Sequence, residues 1–305
     1  MDQLSNLGAR EPSVAFTFCV EPGRLEWEAR LLVESIRQFG GRFANAVIYA
    51  IQPRGIDPLR PETIALFERA GVIHRAANLN KEYAPWPTNN KVYAVADIES
   101  VATTQFVVFL DTDSIIVNEP VEFVLRDGVD LAVQPTLRQF RGSTGPGDAS
   151  DSFWLKLYQM CEVPEPPYVS TMLDRVRIRG YYNGGLAVFR REAGLGRRWL
   201  KYLRRIGPTI PGDVRYNMDQ FALALIAAGI PGRVQLLPSI YNYNIARRHE
   251  FVVETDRNIN LDSLVHIHYH EAFRQPGFLA ALRPALDPTE ERFLWLSRRL
   301  PLSAT

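Results

Sequence analysis

The chain has 305 residues, 46% of them hydrophobic, which is enough to form a large core without a disulfide or a metal. Its net charge of +1, with 23% charged residues, gives no overall basic surface and argues against nucleic-acid binding. The two cysteines, Cys19 and Cys161, make neither a disulfide framework nor a cysteine metal site, and they fit a reducing cytoplasm.

Apolar runs and helical spacing alternate along the first 110 residues. The predicted strands cover 14–20, 46–51, 71–73 and 106–110. The predicted helices are one that carries Trp27 and Ile36, one at 61–70 and one at 91–102. This alternation predicts an α/β fold, Rossmann-like, with a mainly parallel sheet flanked by helices.

The composition changes in the middle of the chain. Glycines and a proline in 138–151 predict a mobile loop, and three prolines in 161–168 exclude a regular helix there. We therefore expect 138–180 to form a loop-rich segment that covers the site. Beyond it, the predicted elements are a strand at 186–189, a helix at 192–205, a helix at 218–228 ended by Gly229, and a strand at 264–270.

Signals for a membrane are confined to the last residues. Residues 1–5 lack a basic region followed by an apolar one, and no apolar stretch approaches the roughly 20 residues of a membrane helix. Residues 278–300 look helical, and their basic, aromatic end either packs on the domain or makes shallow contact with an anionic membrane. We expect a cytoplasmic protein, at most peripheral at the inner face of the membrane.

The sequence Asp111-Thr112-Asp113 directly follows the apolar strand 106–110. Ligands bind at the carboxyl ends of strands in open α/β sheets, and residues two apart on an extended chain project to the same side. Asp111 and Asp113 can therefore converge on one divalent cation, which in turn can hold a diphosphate. The alternative is a strand followed by an Asp-rich turn.

Three of the five histidines, His266, His268 and His270, fall on the predicted strand 264–270 and share one face. One imidazole with the two carboxylates makes a mixed oxygen and nitrogen site suited to manganese. Same-face residues on a strand are about 7 Å apart, so one ion takes only one of the three. An all-histidine zinc site is the weaker interpretation, and which histidine binds stays open.

Two further motifs combine glycine or carboxylate with polar side chains. In Asn183-Gly184-Gly185, the glycines allow a ligand to approach the backbone, and Asn183 can bond a polyhydroxylated group; a tight turn is the alternative. Asp219-Gln220 opens a predicted helix, where capping alone explains a carboxylate.

Taken in order, these motifs resemble glycosyltransferase family 8, the glycogenin and bacterial lipopolysaccharide galactosyl- and glucosyltransferase type. The resemblance covers about 14–276. Its motifs in this chain are Asp111-Thr112-Asp113, Asn183-Gly184-Gly185, Asp219-Gln220, Leu237-Pro238-x-x-Tyr241-Asn242, and His268-Tyr269 followed by Arg274, with Thr17, Trp27 and Lys91 ahead of them.

The resemblance implies a GT-A fold, Mn²⁺ or Mg²⁺, and a nucleotide-sugar donor, expected to be a UDP-sugar, whose hexosyl group moves with retention. It implies a glycan, a lipid-linked compound or a small molecule as the acceptor, and no nucleic acid. It divides the chain into a GT-A domain at 12–276, with 138–180 as an acceptor or lid segment, and a tail at 277–305.

The resemblance also implies a role for each matching residue. Asp111, Asp113 and His268 would bind the metal. Asn183, Asp219 and Gln220 would contact the transferred sugar near its anomeric carbon and would be catalytic. The donor would be bound by Thr17, Trp27, Lys91, Asp111, Thr112, Asp113, Gly184, Gly185 and Arg274.

Some positions depart from the family pattern. Glu271 stands where the family has glycine, Gln275 separates Arg274 from Pro276, and Phe278 replaces a tryptophan. Gly184 stands where the family has serine or alanine. We therefore regard the phosphate end of the site as the least similar part.

Two alternatives remain beside a glycosyltransferase. A nucleotidyltransferase has a related sheet, but it needs a glycine-rich basic loop after the first strand, and residues 21–24 are poor in both. A non-catalytic nucleotide-sugar or carbohydrate-binding protein would keep the pocket without turnover. For the enzyme, retention proceeds either on one face, with the leaving phosphate taking the proton, or through Asp219 as a nucleophile.

Overall fold

A computed structural model describes residues 13–55 and 57–302, so the expectation about residues 1–5 lies outside the described residues. In chain order the strands are β1 Val14–Cys19, β2 Val47–Gln52, β3 Val72–Ala76, β4 Phe106–Leu110, β5 Ser114–Ile116, β6 Leu131–Pro135, β7 Tyr168–Ser170, β8 Arg177–Arg179, β9 Tyr182–Arg190, β10 Val234–Leu236, β11 Tyr243–Asn244 and β12 His266–His268. The α-helices are α1 Arg24–Phe39, α2 Pro61–Arg69, α3 Asn90–Val101, α4 Asp151–Cys161, α5 Leu195–Ile206, α6 Met218–Ala228, α7 Glu254–Arg257, α8 Phe278–Ala281 and α9 Glu291–Ser297.

Seven of these strands form the central sheet, in the order β10-β6-β9-β4-β1-β2-β3. Strands β1 to β4 are mutually parallel, whereas β9 runs antiparallel to both β4 and β6. Every residue of β4 is buried, as its apolar run requires. The predicted mixed, mainly parallel sheet flanked by helices is confirmed.

The predicted functional motifs lie at one edge of this sheet. The chain crosses from β1 to β2 on one side and reaches β4 on the other side of β1, so β1 and β4 flank a topological switch point. Open α/β sheets bind ligands in the crevice at such a point, outside the carboxyl ends of the strands. Asp111 follows β4 directly at that edge.

The segment 138–180 is more regular than predicted. It contains helix α4, which buries Trp154, Leu157 and Tyr158 in the core beside the sheet, and the antiparallel pair β7 and β8. Glycines and prolines on both sides of α4 obscure its helical pattern in the sequence. Residues 162–167 form no regular helix, as their prolines predicted. The mobility of 138–151 stays a prediction.

The last strand and the tail differ from the prediction. Strand β12 covers only His266–His268, not 264–270, because His270 has a left-handed backbone with φ 51°. The predicted helix at 278–300 is two short helices, α8 and α9, because Pro284 and Pro288 interrupt it.

The tail packs on the rest of the protein. Trp295 of α9 meets Phe39 of α1 edge to face at 5.2 Å, and Arg299 pairs with Glu34 at 2.9 Å. These contacts favour the packing interpretation of the basic, aromatic end. In the described part of the chain, no helix is both long and apolar enough to cross a membrane.

Candidate functional site

Strands β4 and β9 together fix the turn that carries Asp111 and Asp113. The Asp111 N–H donates to Gly185 O at 2.8 Å, and the Ser114 hydroxyl donates to Asp111 O at 2.6 Å. The Thr112 hydroxyl donates to Cys19 O at the end of β1, at 3.3 Å. The two carboxylates are therefore held at the edge of the sheet, but they have different partners.

Asp111 pairs with Lys91, the second residue of α3. Lys91 Nζ lies 2.8 Å from Asp111 Oδ1 and 3.5 Å from Asp219 Oδ2, and it donates to Gly184 O at 3.2 Å. Burial alone would lower the pKa of Lys91, but the carboxylates of Asp111 and Asp219 raise it above its usual range. Lys91 is thus a buried cation that joins the motif after β4 to the start of α6.

Asp219, in the first turn of α6, is the second carboxylate beside Lys91. Its side chain is 1% exposed, and burial raises its pKa to about 6, against the lowering effect of Lys91. Asp219 Oδ1 has no hydrogen-bond partner among the described residues. The charged form of this carboxyl is therefore stabilised by Lys91, with a smaller contribution from the backbone N–H of Gln220.

Asp113 faces two histidines. Asp113 Oδ1 lies 3.2 Å from His268 Nε2, and Asp113 Oδ2 lies 3.5 Å from His270 Nδ1. Burial alone would raise the pKa of Asp113, but the two imidazoles hold it well below its usual value. One ligand atom from each of the three residues lies within 4.8 Å of the others; Asp111 is not part of this group in the described chain.

The structure corrects the expected spacing of the histidines. His268 and His270 were expected to be about 7 Å apart as same-face strand residues, but their ring centroids are 4.0 Å apart because the strand ends at His268. His266 is separate: it is fully buried, and burial lowers its pKa to about 3.

Asn242 orients the histidines, a role that the sequence did not predict. Its side-chain Oδ1 lies 3.0 Å from His268 Nδ1, and its backbone N–H donates to His266 Nδ1 at 3.1 Å. With Nδ1 of His268 donating to this amide oxygen, Nε2 faces Asp113: it donates to Asp113 when the ring is protonated, and it would offer its lone pair to a metal ion when the ring is neutral. The position of Asn242 in the motif that ends in Tyr241-Asn242 was the available signal.

Glycines 184 and 185 provide the close approach that the site needs. A Cβ on Gly185 would lie 2.5 Å from His268 Cε1 and 2.9 Å from Asn183 Oδ1. The Gly185 N–H donates to Asn183 Oδ1 at 2.7 Å, which fixes the asparagine side chain. Asn183 and His268 can therefore lie close to each other because residue 185, which lies between them, has no side chain.

Two cavities flank the group of Asp113, His268 and Asn183. The first, of 220 Å³, lies between the ends of β1 and β4 and the starts of α1 and α3. Its lining residues include Cys19, Arg24, Lys91, Asp111, Thr112 and Asp113. The second, of 260 Å³, is lined by Asn183 and Gln220 together with Thr136, Leu137, Arg138, Phe140, Leu173 and Arg247.

Five predicted donor-binding residues line neither cavity: Gly184 and Gly185, which lie against Asp219 and His268, and Thr17, Trp27 and Arg274. Thr17 is fully buried inside β1, two residues before Cys19, which does line the first cavity. Trp27 lines a separate cavity between α1, α2 and the chain end. Arg274 follows His270, but its guanidinium pairs with Glu271 at 2.7 Å, at the position where the family has glycine.

The donor set formed by Asp113, His268 and His270 suits a divalent transition cation. One carboxylate and two imidazoles are ligands that Mn²⁺, Zn²⁺ or Fe²⁺ accept. An imidazole held by an amide oxygen, as His268 is, is the usual arrangement of a metal-binding histidine. These residues could therefore hold a metal, with the first cavity beside it for the metal's other ligands.

Comparisons with known proteins agree with the fold. The family described as "Rhodobacterales glycosyltransferase domain" matches residues 16–230. No curated protein sequence matches the chain. Among solved structures, the galactosyltransferase LgtC in complex with donor and acceptor sugar analogues has a TM-score of 0.57 at 13% identity, over 94% of this chain and 96% of LgtC.

Two other solved structures are similar over much of the chain. The glycosyltransferase GlyE of Streptococcus pneumoniae TIGR4 has a TM-score of 0.51 at 12% identity, over 94% of this chain and 61% of GlyE. Mouse xyloside xylosyltransferase 1 has a TM-score of 0.50 at 13% identity, over 85% of this chain and 97% of that chain. The GT-A fold that the motifs predicted is confirmed.

Proposed function

Because this chain belongs to the Rhodobacterales glycosyltransferase family, we propose that it transfers a sugar from a nucleotide-diphosphate-sugar donor to a hydroxyl acceptor with the help of a divalent metal. Asp113 and His268 carry this proposal, because the Asp113 carboxylate lines the first cavity and lies 3.2 Å from His268 Nε2. A transferase of this kind needs a place for the donor diphosphate on one side of a cation and a place for the acceptor on the other.

We assign the donor nucleotide and diphosphate to the first cavity. It opens at the switch point between β1 and β4, where α/β sheets bind such ligands. Lys91, Asp111 and Thr112 line it. The expected donor is a UDP-hexose, as in the family that the motifs resemble, and the competing donors are other nucleoside diphosphate sugars.

The metal would be held by Asp113 and His268. It would neutralise negative charge on the diphosphate as the bond to the sugar breaks. Asp111 belongs to the ligand set that the resemblance implied, but it is paired with Lys91 at 2.8 Å and would reach the cation only after that pair opened. We therefore assign Asp111 to donor binding.

The transferred sugar would lie against Asn183 and Gln220, which line the second cavity. In the reaction, the bond between the anomeric carbon and the donor phosphate oxygen breaks, and a bond to the acceptor oxygen forms. Asp219 lines neither cavity and is almost fully buried, which disfavours it as a nucleophile. We therefore propose retention by the same-face route, in which the leaving phosphate oxygen takes the acceptor proton, and we assign Asp219 the positioning of Lys91.

The second cavity would take the acceptor. Segment 138–180 contributes Arg138, Phe140 and Leu173 to its wall, as expected of an acceptor-recognising segment. Both arginines of the wall, Arg138 and Arg247, are already paired with Glu250. A neutral carbohydrate or another hydroxyl compound with an apolar face therefore fits better than a strongly anionic acceptor.

The decisive experiment incubates the full chain with Mn²⁺ and a panel of nucleotide sugars and measures release of the nucleoside diphosphate. NMR of the glycoside formed then gives its anomeric configuration. We expect Asp113→Ala to abolish metal-dependent hydrolysis and transfer, while Asp127→Ala, on the exposed surface, leaves both unchanged. Binding without product would instead indicate a non-catalytic nucleotide-sugar-binding protein, and an inverted product would contradict retention.

A further inference from the structure

We propose that His270 is a further protein ligand of the metal, so that one carboxylate and two imidazoles bind the cation and make the site selective for Mn²⁺ over Mg²⁺. The inference rests on the proposed metal-dependent function, and it adds a ligand and a metal preference to it. The ligand set implied by the resemblance contains a single histidine, and the strand spacing predicted no more than one.

The distances between the ligand atoms match a common cation. Ligand atoms about 2.1–2.3 Å from one ion are roughly 3.0–3.7 Å apart in octahedral or tetrahedral arrangements. Asp113 Oδ1 and His268 Nε2 are 3.2 Å apart, and Asp113 Oδ2 and His270 Nδ1 are 3.5 Å apart. All three residues offer an atom within 4.8 Å of the others, so small side-chain rotations would bring them onto one ion.

The backbone at His270 is what brings its imidazole to Asp113. His270 has φ 51°, in the left-handed region that residues other than glycine occupy rarely and at a cost of about 1–2 kcal/mol. Just before it, the Tyr269 N–H donates to Asp113 O at 3.0 Å, which clamps the turn against the motif after β4. Tyr269 is fully buried and stacks on Phe273, so this turn is anchored in the core.

The two imidazoles differ in exposure, which suits different roles. His268 is buried and fixed by Asn242, whereas the His270 side chain is 43% exposed and has Asp113 as its charged partner. His268 would then be the preorganised ligand, and His270 would close on the cation from the solvent side. An exposed residue is also replaceable without disturbing the core.

Two nitrogen ligands change which metal the site prefers. Mg²⁺ binds oxygen and demands nearly ideal octahedral geometry, whereas imidazole suits the transition metals. A site with two imidazoles and one carboxylate should therefore bind Mn²⁺ well and Mg²⁺ poorly. The alternative is that His270 only forms an ion pair with Asp113 and never touches the metal.

Pulsed EPR of bound Mn²⁺ separates these possibilities, because nitrogen couplings count the coordinated imidazoles. The full chain is loaded with Mn²⁺ alone and with Mn²⁺ plus UDP. We expect two imidazole nitrogens in the wild type and one in His270→Gln, and a Mn²⁺ affinity in that variant roughly tenfold lower or more. His249→Gln, at a surface histidine whose side chain is 59% exposed, is the matched control and should change neither value.

A carboxylate in place of the second imidazole tests the metal preference. In His270→Asp, Mg²⁺ should displace Mn²⁺ at a concentration at least several-fold lower than in the wild type. An unchanged nitrogen count and affinity in His270→Gln would overturn the inference while leaving a metal held by Asp113 and His268. Failure of every variant and of the wild type to bind Mn²⁺, with or without UDP, would overturn the proposed metal dependence as well.

Discussion

Gly184 stands so close to Asp219 that a Cβ on residue 184 would lie 2.8 Å from Asp219 Oδ2. The same Cβ would be 3.3 Å from Gln220 Cγ and 3.6 Å from Lys91 Cδ. The family that the motifs resemble has serine or alanine at this position. In this chain, the side chains of Lys91 and Asp219 fill the space that such a residue would need.

We expect Gly184→Ala to destabilise the protein by about 1–3 kcal/mol, because an added methyl group in a packed region forces its neighbours apart. The measurement is the free energy of unfolding in urea. Gly212→Ala is the control, since no atom lies within 4 Å of a Cβ there. If Gly184→Ala were as stable as the wild type, Asp219 would not be held where we describe it.

Lys91 should be essential to stability because it neutralises two carboxylates. Removing one partner of a buried ion pair costs about 3–5 kcal/mol, and Lys91→Met leaves Asp219 buried without a cation. Asp219→Asn in the same chain should recover part of this loss, with a coupling free energy of about 1–3 kcal/mol in the double-mutant cycle. Additive losses would show that Lys91 and Asp219 act independently.

Asp219 should make stability depend on pH. Because its pKa is raised to about 6 in the folded protein, the folded state holds the proton more tightly than the unfolded state does. The stabilisation is complete below about pH 4 and is lost as the pH rises through about 6. Asp219→Asn cannot ionise at this position, so relative to the wild type its free energy of unfolding should increase by roughly 2 kcal/mol between pH 4 and pH 7.

The measurement for Asp219 is denaturant unfolding at a series of pH values in the presence of a chelator. Gly212→Ala, which changes no titrating group, is the control, and its difference from the wild type should be the same at every pH. A constant difference between Asp219→Asn and the wild type would contradict a raised pKa at this residue.

The order of the strands and helices could be predicted where the hydrophobic pattern is regular. The run Phe106–Leu110 and the helix Met218–Ala228 have the bounds that the sequence indicated. Helix α4 was not predicted, because the residues around it are rich in glycine and proline. In the tail, one long helix was predicted from the apolar spacing, but two prolines divide it into α8 and α9. In both places, local composition competed with a periodic signal.

The sequence predicted which residues belong to the candidate site, but not which of them contact one another. Asp113 and His268 were named from the motifs, and they are neighbours at 3.2 Å. The partnership of Asp111 with Lys91, the contact of Asn242 with His268, and the approach of His270 depend on how distant segments meet. A positive φ in a non-glycine residue such as His270 has no sequence signature.

Asn242 should tune the metal site without touching the metal. Asn242 has φ 48°, so glycine at this position keeps the backbone and removes only the amide that holds His268. We expect Asn242→Gly to weaken Mn²⁺ binding by roughly 10- to 100-fold, as measured by calorimetry. Asn242→Asp keeps an oxygen acceptor for His268 and should bind nearly as well as the wild type. Equal affinity in both variants would show that the orientation of His268 does not depend on this amide.

Phe140 should act on the acceptor and not on the donor. Its side chain is 67% exposed and lines the second cavity, where an aromatic ring can pack against the apolar face of a sugar. We expect Phe140→Ala to raise KM for the acceptor roughly five- to tenfold, which corresponds to about 1 kcal/mol of lost contact, and to leave hydrolysis of the donor in water unchanged. Leu294→Ala, at an exposed apolar residue of α9, is the control and should alter neither. A rise in KM for the donor instead would place the donor, and not the acceptor, in the second cavity.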